Sequence, residues 1–504
     1  MSDVRSSTID DILRRSALRH PNRVALVFGD RTWTYRELDD AVSRAAAVFL
    51  ARGFTKRDRI AAYGQNSDSY LIAFLGCCRA GLVHVPINYA LTGDELAYLI
   101  HQSGAGFVLA DPKLAPNLEK VEGCPDHLLL RDAEGCLLDL VRTGDVPEID
   151  VEVDDTELAQ LLYTSGTTSR PKGAMMTHRA YVHHYASAIT ALDFKPDDIA
   201  IQAMPLYHTA QMHVFMLPFL AVGARSYLLE TPDLAKVLEL VESERVNSLF
   251  LAPTVWVPLS QHPDFQTRDL TSLQKAYYGA SIMPGPVRER IAERLPELGW
   301  YNCFGQTEVG PLATVLRPEE HAERPDSCGR AVLFVDMRVV DANGNDVEPG
   351  GTGEVIYRSP QLCLGYWDKP EETAEAFEGG WFHSGDLVRI DDEGYITVVD
   401  RIKDVINTGG VLVASREVED CLYSYPGVAQ VAVIGTPDEK WIEAITAVVV
   451  LKPDATVTEA DLIAHAKANL AKYKVPKAVH FADDLPRNAS GKLLKRVLRD
   501  QVVS

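Results

Sequence analysis

No stretch of this chain is apolar for long enough to span a bilayer, which excludes a transmembrane helix. Basic residues are outnumbered, 50 Lys and Arg against 71 Asp and Glu, for a formal net charge of −21. That balance opposes general binding to nucleic acid or to anionic membrane surfaces. It leaves open an anionic ligand held by a local cluster of lysines and amides. The eight cysteines are scattered and no CxxC pair occurs, so neither a disulfide framework nor a zinc ribbon is indicated. The first eleven residues have no apolar core and do not read as a secretory signal, and Gln501 to Ser504 is no recognised anchor. The expected location is the reduced cytoplasm. Internal repeats and low-complexity stretches are also missing.

At 504 residues, 46% apolar and 24% charged, the chain has the composition of a soluble globular protein with several structural units. Val24 to Phe28, Gly29-Asp30 and Thr32 to Thr34 predict a hairpin. Thr34-Tyr-Arg-Glu37 is a capping box that opens a helix to about Arg52, with Gly53 as its stop. Strands at 59–62, 83–87 and 107–110 alternate with helices at 70–79 and 95–102, which predicts parallel βαβ units. Further helices are expected at 180–191, 234–243 and 286–294. After Gly329, short β-like runs such as 337–340 and 353–357 lie between Gly, Asn, Asp and Pro turns. They predict a small β subdomain or barrel over about 330–400. A second boundary falls near Asp400 to Asp404. Beyond it, helices at 416–424 and 459–469 and strands at 428–434 and 447–451 form a compact α+β unit. The expected fold is α/β. A large N-terminal domain, 1–400, is followed by a small mobile domain, 401–504.

The most informative segment runs from Leu161 to Gly173. A buried strand end is followed by Thr164, Ser165, Gly166, Thr167 and Thr168, then Pro171-Lys172-Gly173 and a second apolar run, 174–176. Hydroxyls and bare amides in a tight turn suit a polyphosphate, and Lys172 adds a mobile positive charge. A polar surface turn would have the same composition. It is not a Walker A loop, because Pro171 replaces that pattern's second glycine and no Ser or Thr follows the lysine.

Four other segments are ambiguous singly. In Tyr301 to Glu308, Phe304 offers a flat face to a base and Glu308 an oxygen to a hard cation. In Trp381 to Asp386, the aspartate could accept ribose hydroxyls or merely end a Gly-Asp turn. Asp400-Arg401-Ile-Lys403-Asp404 with Asn407-Thr-Gly409-Gly410 fits a hinge or a solvated linker. Pro486 to Lys492 reads as a basic loop.

Their order and spacing together resemble the adenylate-forming superfamily of acyl-CoA synthetases, aryl-CoA ligases, luciferases and peptide-synthetase adenylation domains. The resemblance covers about Ile9 to Arg499 and is greatest to bacterial fatty acyl-CoA synthetases. It implies that Thr164 to Thr168 and Lys172 bind phosphates. By the same resemblance Gly279, Ala280 and Ser281 border adenine and the acyl carboxylate, and Phe304, with Gly305 and Gln306, stacks on adenine in place of the usual tyrosine. Thr307 would bind the α-phosphate, Glu308 magnesium, and Asp386 the ribose with Arg401 nearby. Lys403 falls at the hinge, Gly409 and Gly410 line the pantetheine tunnel, and Lys492 is the adenylation lysine and a site for regulatory acetylation. ATP, Mg2+ and coenzyme A are therefore expected, and a homodimer is a further expectation. Ser169 departs from the family's glycine. If that position needs a positive φ, serine costs ~1 kcal/mol or more.

The implied chemistry has a physical rationale. A carboxylate resists a thiol because its leaving group is oxide. Transfer of AMP to the acid supplies a good leaving group, and the protein's task is positioning and charge neutralisation. Acyl-pocket candidates are Tyr185, His208, Thr209, Tyr278, Val309, Gly310 and Pro311, none of them a cation. That composition disfavours a dicarboxylate. Gly310 is read as room for an alkyl chain, and a medium- or long-chain fatty acid is the expected substrate. Aryl or branched-chain acid ligation and acyl-AMP transfer to a carrier protein are the alternatives, along with a nucleotide-binding regulator that has lost catalysis. His183, His184 and His213 are expected to be structural or pocket-lining, without metal-ligand spacing.

Overall fold

The structure is a computed structural model and describes residues 6–164, 170–279, 281, 283–438, 440–453, 455–487 and 493–503. The chain divides into two compact units. Within the described residues the first comprises 6–164, 170–336 and 357–382; the second comprises 337–356 and the chain from 383 onward.

The first unit is built on two largely parallel sheets. In the six-stranded sheet the order is His127–Leu129, Phe107–Ala110, Arg59–Tyr63, Val83–Ile87, Leu158–Thr164, Lys172–Thr177. The predicted βαβ alternation is present: Arg59–Tyr63 pairs in parallel with both Val83–Ile87 and Phe107–Ala110. The last two strands are an antiparallel hairpin. A nine-stranded sheet runs from Arg330–Ala331 through Gly299–Phe304 and Lys275–Gly279 to the Val24–Phe28 and Arg31–Thr34 hairpin. The capping box is realised: Thr34 accepts from the Glu37 amide, Glu37 reaches back, and the helix runs Tyr35–Ala51. Its buried face packs with the Asp68–Arg79 helix, which is buried along its whole length and carries the free thiols Cys77 and Cys78. Arg79 is buried there beside Asp10, 2.7 Å away, so its charge is paired rather than stranded.

In the second unit a four-stranded sheet has the order Asp336–Val340, Thr352–Arg358, Phe382–Ile390, Ile396–Arg401. The β-rich subdomain is thus a sheet whose first and last strands are edges, rather than a closed barrel. The remaining strands, Ile406–Thr408, Val411–Val413, Val428–Asp438, Ile442–Leu451 and Ala478–Phe481, form a five-stranded sheet. The Ser415–Tyr423 and Glu459–Asn469 helices pack on it through Val418, Leu422, Leu462 and Ala466. Among the described residues no helix is long and apolar enough to cross a membrane.

Candidate active site

Thr164 ends one strand and Lys172 opens the next, and the two are direct partners across the hairpin. Both stems of the intervening loop are tied to the Gly93–Ser103 helix. Tyr163 donates its phenol to Gln102, and Tyr98 donates to the Pro171 carbonyl at 3.1 Å. The Arg170 guanidinium lies 5.0 Å over the Tyr98 ring. Ser165, Gly166, Thr167, Thr168 and Ser169 lie outside the described residues, as do Ala280 and Lys492.

Glu308 sits in a short 3-10 turn, Thr307–Val309, that follows the Gly299–Phe304 strand through Gly305 and Gln306. The turn is pinned from a distant segment. Cys363 donates its amide to the Glu308 carbonyl at 2.8 Å, and the buried Gln361 amide bonds the carbonyls of Val309 and Leu312. The Glu308 side chain is 7% exposed, and its Oε1 accepts from Thr164 Oγ1 at 3.3 Å and Tyr366 OH at 3.1 Å. Burial, with the adjacent carboxylate, holds the Tyr366 phenol well above its ordinary pKa, so it stays a donor. The Lys172 ammonium lies 5.0 Å from the centre of the Tyr366 ring. Thr164, Lys172 and Glu308 are therefore brought together, and Tyr366, which sequence reading missed, is what they share.

Among the described residues no group of three or more His, Cys, Asp or Glu could cage a metal. One buried carboxylate beside a hydroxyl and a lysine instead fits Mg2+, which keeps waters and binds through one or two carboxylates plus substrate phosphates.

Nearby positions are set by close packing. Gly279 ends the Lys275–Gly279 strand with its Cα against the Cys303 carbonyl, where a Cβ would lie 2.3 Å away. Ser281 is exposed and Phe304 half-buried, its carbonyl accepting from Ala313.

The acyl-pocket candidates fall into two groups. On the His178–Ala191 helix, Tyr185 is buried and donates to His213 Nδ1 at 2.7 Å, so it offers a wall rather than a free hydroxyl. His184 on the same helix meets Gly310. Gly310 has φ +97°, and a Cβ there would lie 3.2 Å from His184 Cβ. The glycine answers a backbone demand, which corrects its reading as room for an alkyl chain. Val309 and Thr209 are buried and His208 is half-buried, its Nδ1 accepting from Ala210. On either side of His208, the Tyr207 ring packs edge-on against Tyr89 and the Thr209 side chain lies beside the buried Tyr181 phenol. Tyr278 faces elsewhere: its phenol bonds His321 Nε2 at 3.1 Å, and His321 is pushed down to about 4, chiefly by burial. The Arg288 charge acts on both groups, so the surroundings of Tyr278 are not free of cations as the candidate list alone suggested.

Behind Tyr185 lies a buried polar network that fixes histidine tautomers. Gln160 Oε1 can only accept, and it takes Tyr181 OH at 2.7 Å and His213 Nε2 at 2.9 Å. His213 Nε2 therefore carries the proton and Nδ1 accepts from Tyr185. Gln160 Nε2 donates to His84 Nδ1 at 3.0 Å. Burial lowers His84 and His184 to about 3 and His178 to about 4. Their folded values lie below the unfolded value near 6.5, so the unfolded chain takes up the protons first. Stability is complete above pH 6.5 and drains as pH falls toward 4. The loss steepens as pH falls below the unfolded value, because only then is the unfolded imidazole fully protonated while the folded one is not. The urea midpoint should change little between pH 7.5 and 6.5 and then fall increasingly steeply toward pH 5, less so in His84→Gln. A midpoint independent of pH would contradict this account.

In the second unit Asp386 and Arg401 face each other across neighbouring strands, with Nε 2.6 Å from Oδ1 and the aspartate 4% exposed. Gly409 and Gly410, with φ +65° and +85°, form a two-residue hairpin turn between Ile406–Thr408 and Val411–Val413. The Gly409 amide donates to the Trp441 carbonyl at 2.6 Å. Lys440 and Lys477 ammonium groups lie 4.9 and 5.1 Å from the Trp441 ring centre. This cluster was not legible in sequence; the one signal was a tryptophan among spaced lysines. Lys403 lies in a 3-10 turn, Ile402–Asp404.

Residues 13–367 match the family model described as AMP-binding enzyme, and residues 417–492 match its C-terminal domain. The chain is 38% identical over 485 residues to a feruloyl-CoA synthase of an Amycolatopsis species, covering 96% of this chain and 97% of the relative. It is 34% identical over 496 residues to the long-chain-fatty-acid--CoA ligase FadD13 of Mycobacterium tuberculosis, covering 97% of each. The crystal structure of ATP bound MatB from Rhodopseudomonas palustris superposes with a TM-score of 0.90 at 31% identity, covering 98% of this chain and 99% of that one.

Proposed function

The chain belongs to the AMP-binding enzyme family, and from that premise we propose its substrate and the roles of its residues. It is an ATP-dependent acyl-CoA ligase of the adenylate-forming class and uses ATP, Mg2+ and coenzyme A. The proposed acid is a hydrophobic monocarboxylate, with an aryl-propenoic acid such as ferulate ahead of a fatty acid. The observation that carries the aryl reading is the 38% identity, over nearly the whole of both chains, to a feruloyl-CoA synthase. The fatty-acid reading rests on the 34% identity to a long-chain ligase and no longer on Gly310.

In this reading Thr164 to Thr168 and Lys172 hold the triphosphate, and Thr307 the α-phosphate. Phe304, Gly305, Gln306 and Gly279 to Ser281 border adenine and the acid carboxylate, and Asp386 with Arg401 takes the ribose. Glu308 would hold Mg2+, which supplies charge neutralisation on the phosphate oxygens. Lys492 stabilises the charge that builds as the acid oxygen attacks phosphorus and pyrophosphate departs. Gly409 and Gly410 admit the pantetheine arm, and Lys440, Trp441 and Lys477 suit the polyanionic nucleotide of coenzyme A. The functional boundary is placed at 400/401, with Lys403 as the hinge.

The test is pyrophosphate release with coenzyme A for ferulate, for alkyl acids of graded length and for the matching dicarboxylic acids. Ferulate should exceed the best alkyl acid by about tenfold in kcat/KM. An alkyl acid that outruns ferulate would install the fatty-acid reading instead. A dicarboxylate that outruns both would assign the pocket to the Arg288 charge.

A further inference from the structure

Tyr366 stands between two groups that ought to find one another. Lys172 and Glu308 carry opposite charge, and both lie against this one side chain. Opposite charges that share one neighbouring side chain attract each other. Among the described residues they form no ion pair; the Tyr366 ring faces the ammonium and its hydroxyl faces the carboxylate. We propose that Tyr366 is a positioning residue that keeps the phosphate lysine and the metal carboxylate apart and correctly aimed. This rests on the roles proposed above for Lys172 and Glu308.

The backbone around Tyr366 holds it in place. Residue 366 bridges to Ala174, two residues beyond Lys172 on the same strand. Its amide donates to Thr373 Oγ1 at 2.9 Å, and that hydroxyl in turn donates to the Lys369 carbonyl at 2.8 Å. Gly365 before it has φ +132°, and a Cβ there would lie 2.4 Å from Thr373 Cγ2. The side chain is 9% exposed, so the phenol has little freedom to swing away.

Two consequences follow from this placement. Tyr366 OH and Thr164 Oγ1 both donate to Oε1 of Glu308. Oε2 is therefore the oxygen left for a hard cation, and the rotamer that presents it is fixed before any ligand arrives. On the other side, the ring face attracts the Lys172 ammonium without neutralising it, because a cation–π contact is weaker than a desolvated ion pair. The lysine keeps its charge for a phosphate and the glutamate keeps its charge for the metal. Remove the ring, and the two would collapse onto each other.

Two substitutions separate the functions of the side chain. Tyr366→Phe retains the ring and its packing but loses the donor to Glu308. Tyr366→Leu loses both. The readout is calorimetric binding of ATP, with Mg2+ and with chelator, to protein whose fold is checked by its thermal midpoint. Tyr366→Phe should weaken MgATP about fivefold and leave metal-free ATP unchanged. Tyr366→Leu should weaken metal-free ATP as well, because Lys172 is then drawn to Glu308. Adding Glu308→Gln to Tyr366→Leu should restore metal-free ATP binding, since the competing carboxylate charge is gone. Wild-type MgATP binding by Tyr366→Phe would overturn the proposal, as would equal losses with and without metal. The underlying roles are tested separately by Glu308→Gln and Lys172→Ala. If neither alters MgATP binding, those roles fail; if both do and Tyr366→Phe does not, only the inference about Tyr366 fails.

Discussion

Replacing Lys492 with alanine should abolish adenylate formation while sparing thioester formation. The lysine is assigned to the first half-reaction alone, where it meets charge that exists only as the acid attacks phosphorus. Losing one such contact in a water-excluded site costs about 3 kcal/mol, or ~100-fold or more in rate. Lys492 itself lies outside the described residues, but the flanking chain is firmly seated. Residues 487 and 493 form a β-bridge, and the Leu494 amide donates to the Pro486 carbonyl at 2.8 Å. Lys495 lies 2.8 Å from Glu419 and donates to Ser415 Oγ at 2.6 Å. Trimming Lys492 removes none of these contacts, so the variant should fold normally. The decisive measurement supplies synthetic acyl-AMP with coenzyme A, which should recover most of the wild-type thioester rate. Equal losses in both half-reactions would show that one lysine does not serve the first step alone. Acetylation of Lys492 removes the same charge and should have the same effect, so full activity in a fully acetylated preparation would remove it as a regulatory site.

What sequence could and could not reveal follows the range of the interactions involved. The Thr34 to Glu37 capping box, the hairpin that pairs Thr164 with Lys172 and the Gly409-Gly410 turn are local in sequence, and their patterns are legible. Tyr366 acts on Glu308 across 58 residues, and Gln361 on Val309 across 52. Neither has a sequence signature, because a tyrosine or glutamine in an irregular segment is compatible with many surroundings. Gly310 shows a different limit. A glycine records only that a side chain is unwelcome, and space for a substrate, a positive φ and a close neighbour all produce the same letter. Here the last two are present. The four-stranded sheet could not be told from a barrel for a similar reason: closure depends on which edges meet, and strand patterning alone leaves that open.

Lys403→Pro should give the converse of Lys492→Ala: the adenylate accumulates and thioester output falls. The chain around Lys403 is tied on both sides. Asp400 accepts from the Ser415 amide at 2.6 Å and from its hydroxyl at 2.8 Å. Arg416 donates to the Val398 carbonyl at 2.9 Å, and Arg499 pairs with Asp404 at 2.9 Å. The Asp400–Ser415 and Val398–Arg416 contacts join the chain before 403 to the chain after it, so a turn of the dihedrals from 401 to 404 would have to break them, whereas the Asp404–Arg499 pair would move as one with the later segment. Proline at 403 locks φ near −65° and removes the amide proton, and its ring disfavours a helical Ile402. If passage to thioester formation needs those dihedrals to turn, its rate should drop at least about thirtyfold, equivalent to about 2 kcal/mol on the barrier. Lys403→Ala leaves the backbone free and should stay near wild type, which separates loss of the hinge from loss of the side chain. The measurement is a single-turnover experiment in which acyl-AMP is formed first and coenzyme A is then added. Thioester formation at the wild-type rate in Lys403→Pro would mean that the dihedrals at 403 do not change during turnover. A slow Lys403→Ala would assign the effect to the ammonium rather than the backbone.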